Sequence, residues 1–340
     1  MFLAKVEKVK GESIRRVLFA CNAVRKDLAI IEKGNYLLIP LKEDVNVSVL
    51  KDLDLNLIEG ESFPRTYYKM PFERIVDIIN IPNEIKSLLP RKWEKFGDVV
   101  ILKFPSELDD YESEIARAYA KVLRAKTVCR EAGIITGPYR EPCVKIIYGN
   151  ETETVHTENG VKYKFDVSKI MFSSGNINER KRMGELQCKG ETIVDMFAGI
   201  GYFALPIAVH AKPRKIIACE INPTAYHYLI ENVRLNRVES IINTYLGDNR
   251  DFPGDQIADR IIMGYIGTTR NFLPKAISLI KPGGIIHYHD VSPINHYPHE
   301  PLRVLDESFR GHRYELLGMR VVKSYGPSTI HFVADLRVAH

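Results

Sequence analysis

Residues 191–203 read ETIVDMFAGIGYF: a short apolar run, an acid at Asp195, then two glycines, Gly199 and Gly201. The spacing predicts a buried strand ending at Asp195, a tight turn and a helix, because small residues let the backbone turn sharply and approach a ligand closely. Working outward, RKIIACEI (214–221), SIINTYLGD (240–248), DRIIMGYI (259–266) and GGIIHYHD (283–290) repeat the short apolar run. Between them, NPTAYHYLIENVRLN (222–236) and TTRNFLPKAISLIK (268–281) carry apolar side chains at three- and four-residue spacing, the second despite one proline. Strands alternating with helices predict an α/β fold, a doubly wound, Rossmann-like parallel sheet spanning 166–340.

Two smaller α/β regions are expected upstream. Residues 1–60 combine a basic helix-like stretch, Glu12 to Ala23, with LAIIEKGNYLLIPL (28–41), whose Lys33-Gly34-Asn35 turn predicts a hairpin. GESFPRTYYKMPF (60–72) is turn-rich and reads as a linker. Across 61–165, helix-like ERIVDIINIP and ESEIARAYAKVLRA alternate with strand-like GDVVILKF, CVKIIYG and VKYKFDV, a mixed module that precedes and supports the third region.

The 340 residues are 45% hydrophobic, enough for a buried core. No apolar run approaches the roughly 18 residues of a membrane span, and the start lacks the apolar core of a signal peptide. A soluble, cytoplasmic protein without membrane contact is expected. Cys21, Cys129, Cys143, Cys188 and Cys219 are scattered and odd in number, so neither a disulfide framework nor a metal site is expected. The 48 basic against 43 acidic side chains leave net +5, which permits an anionic partner without demanding one.

The turn after Asp195 does not stand alone. Glu220 closes the next strand, where a carboxylate can accept both hydroxyls of a ribose, and Gly247-Asp248-Asn249 ends the following one, placed to bond an adenine amino group. A dinucleotide would require GxGxxG, and Tyr202-Phe203-Ala204 stands where the third glycine should be. Asp195 would repel a phosphate and suits the ammonium-bearing end of S-adenosylmethionine. The donor pocket expected is Asp195, Phe197, Gly199, Gly201, Glu220, Asp248 and Asn249.

In the order VDMFAGIGYF, ACEINPTAYHYL, GDNRDF, DRIIMGYI and GGIIHYHD, nearly the whole chain resembles the archaeal and eukaryotic enzymes that modify guanine 37 in the tRNA anticodon loop. That group comprises guanine-N1 methyltransferases and wybutosine-pathway transferases that move a 3-amino-3-carboxypropyl group from S-adenosylmethionine. The first region resembles their small tRNA-elbow domain. Where the methyltransferases carry Asn-x-Pro at the end of the fourth strand, this chain has Met263-Gly264-Tyr265-Ile266, which removes an amide and opens space at Gly264. Where they carry Pro-Arg after Met-Phe-Ser, it has Ser174-Gly175-Asn176. Both departures are similar to the aminocarboxypropyl branch.

The resemblance implies attack at the donor's γ-carbon by a ring carbon of 4-demethylwyosine at position 37 of tRNA(Phe). Separately, a monomer that binds no DNA is expected. The alternatives are guanine-37 N1 methylation and a non-catalytic tRNA-binding module. Ser173 and Arg180 match positions that touch the donor, Arg180 as a carboxylate grip whose bland alternative is a solvated helix face. Ser173 could equally cap a helix. Carbon attack releases a proton, and Glu179, His287, His289 and Asp290 are open as candidates for its acceptor. His287 and His289 alternate at a strand end, one face open to the pocket and the other packed. Tyr202, Phe203, Tyr265 and Tyr288 are placed around the pocket mouth, with Gly264 and Tyr265 expected to meet the flipped base. Arg91, Lys92, Lys95, Arg124, Lys126, Arg130, Arg140, Lys181 and Arg182 are candidate phosphate contacts as a group.

Overall fold

Strands β1 (Phe2–Glu7), β2 (Ile31–Lys33), β3 (Tyr36–Pro40) and β4 (Asn56–Glu59) pair antiparallel in the order β2-β3-β1-β4. The expected hairpin is present, with Gly34 at φ +58 in the turn, a left-handed conformation that glycine adopts at little cost. The helix Gly11–Ala20 supplies Leu18 to the apolar cluster formed with Ala4, Val6 and Ile39. The structure, a computed structural model, describes all residues except 46–52, 54, 67, 134–141, 310 and 340. It divides into two compact units, Met1–Glu73 and Arg74–His340. The break falls beyond the turn-rich linker rather than at 60.

In the second unit, β5 (Trp93–Phe96), β6 (Val99–Leu102), β7 (Thr127–Glu131) and β8 (Val144–Tyr148) form a mixed sheet, with β6 and β7 parallel. A hairpin follows, β9 (Glu153–Glu158) with β10 (Val161–Asp166). The largest sheet contains β11 (Thr192–Asp195), β12 (Lys215–Glu220), β13 (Ile242–Leu246), β14 (Ala258–Met263), β15 (Ile280–Pro293), β16 (Arg313–Ser324) and β17 (Thr329–Ala339). Its order is β13-β12-β11-β14-β15-β17-β16. The five strands anticipated from the sequence, β11 to β15, run parallel. The other two were not anticipated: β17 lies antiparallel between β15 and β16.

Alternation along the strands gives the sheet two apolar faces. Ile193, Ile216, Ala218 and Ile262 belong to one buried cluster, and Val194, Ile217, Cys219, Ile261 and Met263 to the other. Phe96, Val99, Val161, Tyr163 and Phe165 from the preceding strands join the first cluster, so no compact-unit break falls near residue 165. Two asparagines on the helix Pro223–Leu235 and its end fasten β10 to it. Asn232 Oδ1 accepts from the Lys164 amide at 2.6 Å, while its Nδ2 donates to the carbonyls of Lys164 and Ile200, both at 3.1 Å. Asn236 repeats this on the amide and carbonyl of Lys162, at 2.9 and 2.7 Å. The strand order reverses between β11 and β14, the place where a doubly wound sheet opens a crevice at its carboxyl ends.

Candidate active site

A cavity of about 350 Å³ opens at that crevice, lined by residues that follow β11, β12, β13 and β14, by the segment Lys169–Arg180 and by the ends of β15, β16 and β17. Gly199 shapes one wall. Its φ is +57, and a Cβ there would lie 2.4 Å from the Tyr202 ring, so only glycine fits. The Gly199 amide donates to Glu220 Oε2 at 2.7 Å, and the Asn222 amide donates to Glu220 Oε1 at 2.7 Å. Glu220 lines the cavity with its carboxyl raised above the usual range, because burial outweighs the amides that favour its charge.

Asp248 and Asn249 line the cavity as expected. Asp248 is held by the guanidinium of Arg250, with the closest contact 2.5 Å, which keeps its carboxyl below the ordinary range. Asn249 Nδ2 donates to the Met196 carbonyl at 2.7 Å, leaving Oδ1 buried without a hydrogen-bond partner. Phe197 and Tyr265 also line it, stacked on each other at 5.1 Å with Phe272 edge-on to Phe197.

Other expected residues are placed differently. Asp195 is fully buried behind the wall and is not among the lining residues. Its Oδ1 accepts from the Phe197 amide at 3.2 Å, its Oδ2 has no partner, and burial pushes the carboxyl up to about 7. Gly201, at φ +102, serves packing: a Cβ would meet Leu205 at 2.6 Å. The space anticipated at Gly264 is filled, since a Cβ there would lie 2.7 Å from the Phe203 ring. Tyr288 is 1% exposed in the second apolar cluster, away from the mouth.

Arg180 lines the cavity but is neither a solvated surface residue nor an uncommitted grip. It is 2% exposed, forms a bidentate pair with Glu158 at 2.6 and 2.7 Å, donates to the Ser173 carbonyl and lies over the Phe172 ring. Ser173 Oγ accepts from Lys323 Nζ at 2.6 Å and makes no helix cap.

The candidate bases separate. His287 and His289, two apart on β15, share one face of the strand, so the expected opposition between them is wrong. His289 reaches the cavity from within β15, while His287, two residues earlier, does not line it. Because Arg260 can only donate, His287 Nε2 accepts from it at 2.8 Å, and Nδ1 donates to Asp335 at 2.6 Å. Asp335 continues to Arg182 and Arg320, and Arg182 clasps Glu179. Glu179 is 4% exposed and outside the lining, consumed by this ladder. Asp290 accepts from Tyr288 Oη and the Gly267 amide. His289 stacks on Phe203 at 5.2 Å and meets His331 Nε2 through Nδ1 at 3.1 Å. Its Nε2 is buried without a partner, 3.6 Å from Glu179 Oε1, and burial holds the ring well below its ordinary pKa, hence neutral.

Several lining residues escaped the sequence reading, among them Lys323 and His331. Nothing local marks them. Of the basic candidates, Arg130 pairs with Asp109 and Glu112, Lys126 with Asp98 and Glu151, Lys181 with Glu185, and Lys95 donates to the Leu123 carbonyl. Arg91, Lys92 and Arg124 are exposed, and Arg140 lies outside the described residues.

Comparison with known proteins decides the family. Residues 154–317 match the TRM5/TYW2 methyltransferase domain, 75–152 the TYW2 N-terminal domain and 5–49 the tRNA methyltransferase 5 N-terminal domain. The chain is 47% identical, over 78% of its length and 96% of the relative's, to tRNA(Phe) (4-demethylwyosine(37)-C(7)) aminocarboxypropyltransferase of Pyrococcus horikoshii. The chain belongs to the TRM5/TYW2 family. A solved family member, P. horikoshii TYW2 in complex with MeSAdo, superimposes with TM-score 0.72 at 45% identity, over 79% of this chain and 99% of that one. Pyrococcus abyssi Trm5b, of the same family, superimposes with TM-score 0.73 at 35% identity over all of both chains.

Proposed function

We infer that this protein transfers the 3-amino-3-carboxypropyl group of S-adenosylmethionine to 4-demethylwyosine at position 37 of tRNA(Phe). The observation that carries the reading is the 47% identity across 96% of a relative bearing that activity in its name. The end of β14 supports it, since Gly264 leaves no side-chain amide and Phe203 occupies the adjoining space.

The residues present fit the donor. Asn249, Asn176 and His289 line the cavity, and each holds a buried atom without a hydrogen-bond partner (Oδ1, Oδ1 and Nε2), which a ligand carrying N–H, O–H and cationic groups can satisfy. Bound there, S-adenosylmethionine supplies a sulfonium whose γ-carbon is electrophilic, so that transfer of the arm leaves methylthioadenosine behind. Glu220, fixed by two backbone amides, accepts ribose hydroxyls through its remaining lone pairs. Asp248 and Asn249 flank the adenosine, and the Phe197–Tyr265 pair closes the wall against water. His289 is the neutral group able to take the acceptor carbon's proton at Nε2, with His331 behind it. The acceptor is the anticodon loop, met by basic surface residues of a cytoplasmic monomer, with no DNA or membrane partner.

Methyl transfer to guanine 37 is the second reading, favoured by the Trm5-type match at 5–49 and by 36% identity to P. abyssi Trm5b over 98% of the chain. Incubation of tRNA with donor labelled separately in its methyl and aminocarboxypropyl carbons separates them. Label from the arm in the tRNA is expected; label from the methyl alone overturns the first reading.

A further inference from the structure

We propose that Lys323, Ser173 and Asn176 clamp the amino-acid end of the donor's arm, Lys323 taking the carboxylate and Asn176 Oδ1 the ammonium. The proposal rests on the reading above for its donor. Arg180, the grip expected from the sequence, has its charge matched by the bidentate Glu158. Lys323 brings an ammonium to the cavity wall from β16, where it donates to Ser173 Oγ at 2.6 Å. An ammonium carries three N–H donors, and this bond orients the group. Gly175 makes the approach available: a Cβ there would lie 3.0 Å from Lys323 Cδ, so bare backbone lets the lysine stem cross the 173–176 segment.

Asn176 supplies an independent observation. It occupies the N-cap of the helix Ile177–Gly184, where an asparagine oxygen ordinarily accepts from the first turn, yet it makes no cap bond. Asn176 lines the cavity, and its Oδ1 is shielded from solvent and without a hydrogen-bond partner. A buried acceptor left unmade is costly, and a ligand ammonium offsets that cost. The lining thus offers both an acceptor for the ribose, at Glu220, and a cation for the carboxylate at the end of the arm, at Lys323. The clamp grips the part that moves. Methylthioadenosine, the fragment left by arm transfer, has nothing for it to hold.

Calorimetry on the full chain without tRNA tests this with three ligands: S-adenosylmethionine, S-adenosylhomocysteine and methylthioadenosine. Lys323→Met is expected to weaken the two arm-bearing ligands by about tenfold or more and leave methylthioadenosine unchanged, which also reports an intact fold. S-adenosylhomocysteine controls for sulfonium charge, and Lys323→Arg should recover much of the loss. Asn176→Ala should show the same split. Equal loss for all three ligands, or no loss for the arm-bearing two, overturns the proposal. Because no group moves in this measurement, its failure is distinct from a methyl-only result in the labelling experiment.

Discussion

A Cβ at residue 264 would lie 2.7 Å from Phe203, whose ring stacks on His289, so these three residues constrain one another. Gly264→Asn forces the ring aside, and overpacking of this kind costs about 1–3 kcal/mol. We expect lower stability in urea melts and arm transfer reduced by about tenfold or more, with no methyl transfer gained; a wild-type melt with wild-type transfer would show the site to be roomier than described. Asp195 sets a pH dependence. Its folded-state carboxyl is raised from 3.8 to about 7, so between those values the native state binds more protons than the unfolded one. Stability from this group is therefore fully present below about pH 4, lost as pH rises to about 7 and constant above. Asp195→Asn should remove that loss, so its advantage over wild type grows from pH 4 to 7; denaturation midpoints across that range check it, and a constant difference sinks the assignment. Glu220, Asp248 and Asn249 were legible because each ends a strand at a turn. Asp195 ends β11 in the same way but is buried outside the lining, and the same signal cannot say whether a strand-end acid faces a cavity or lies beneath the loop.

At the scale of elements, β11 to β15 were legible because apolar runs alternate with amphipathic helices between clear turns. Even the proline in TTRNFLPKAISLIK agrees, as Pro274 sits in the first turn of the helix Leu273–Leu279, where its missing N–H costs nothing. β16 and β17 were not legible. β17 is buried along most of its length but is interrupted by His331 and Asp335, and β16 is largely exposed, so neither shows a clean alternation. Without them Lys323 and His331 have no visible relation to the cavity. The fastening of β10 by the helix Pro223–Leu235 was hidden for the same reason, its partners being 68 residues apart. Asn232→Ala leaves the half-buried Lys164 amide and the carbonyls of Lys164 and Ile200 without these bonds and should cost about 2–3 kcal/mol with an unchanged denaturant slope. Asn236→Ala, at an exposed site, should cost distinctly less; equal losses would mean that burial is not what gives the bonds their weight.

For the whole molecule, the match at 5–49 is to a Trm5-type N-terminal domain, whereas 79% of the chain suffices to cover 99% of the solved P. horikoshii TYW2. A relative is thus complete without a counterpart for the remainder of this chain, and the structure itself breaks at 73/74. The sequence pointed to 60 because the polar, turn-rich stretch begins there, but Ser62 Oγ donates to the Ala29 carbonyl and Arg65 N to the Asp27 carbonyl, tying that stretch to the first unit. Every residue lining the cavity lies in the second unit. If the first unit adds tRNA contacts, as its resemblance to an elbow-binding domain suggests, then removing it should separate two affinities. A chain beginning at Met70, which keeps the helix Pro71–Ile78 whole, should bind S-adenosylmethionine as the full chain does. Its tRNA affinity should fall by about tenfold or more, and its log K against log salt should be shallower, because each lost phosphate contact removes roughly one unit of slope. Filter binding across a salt series reads both quantities. An unchanged slope with unchanged tRNA affinity would mean that the second unit alone holds the RNA.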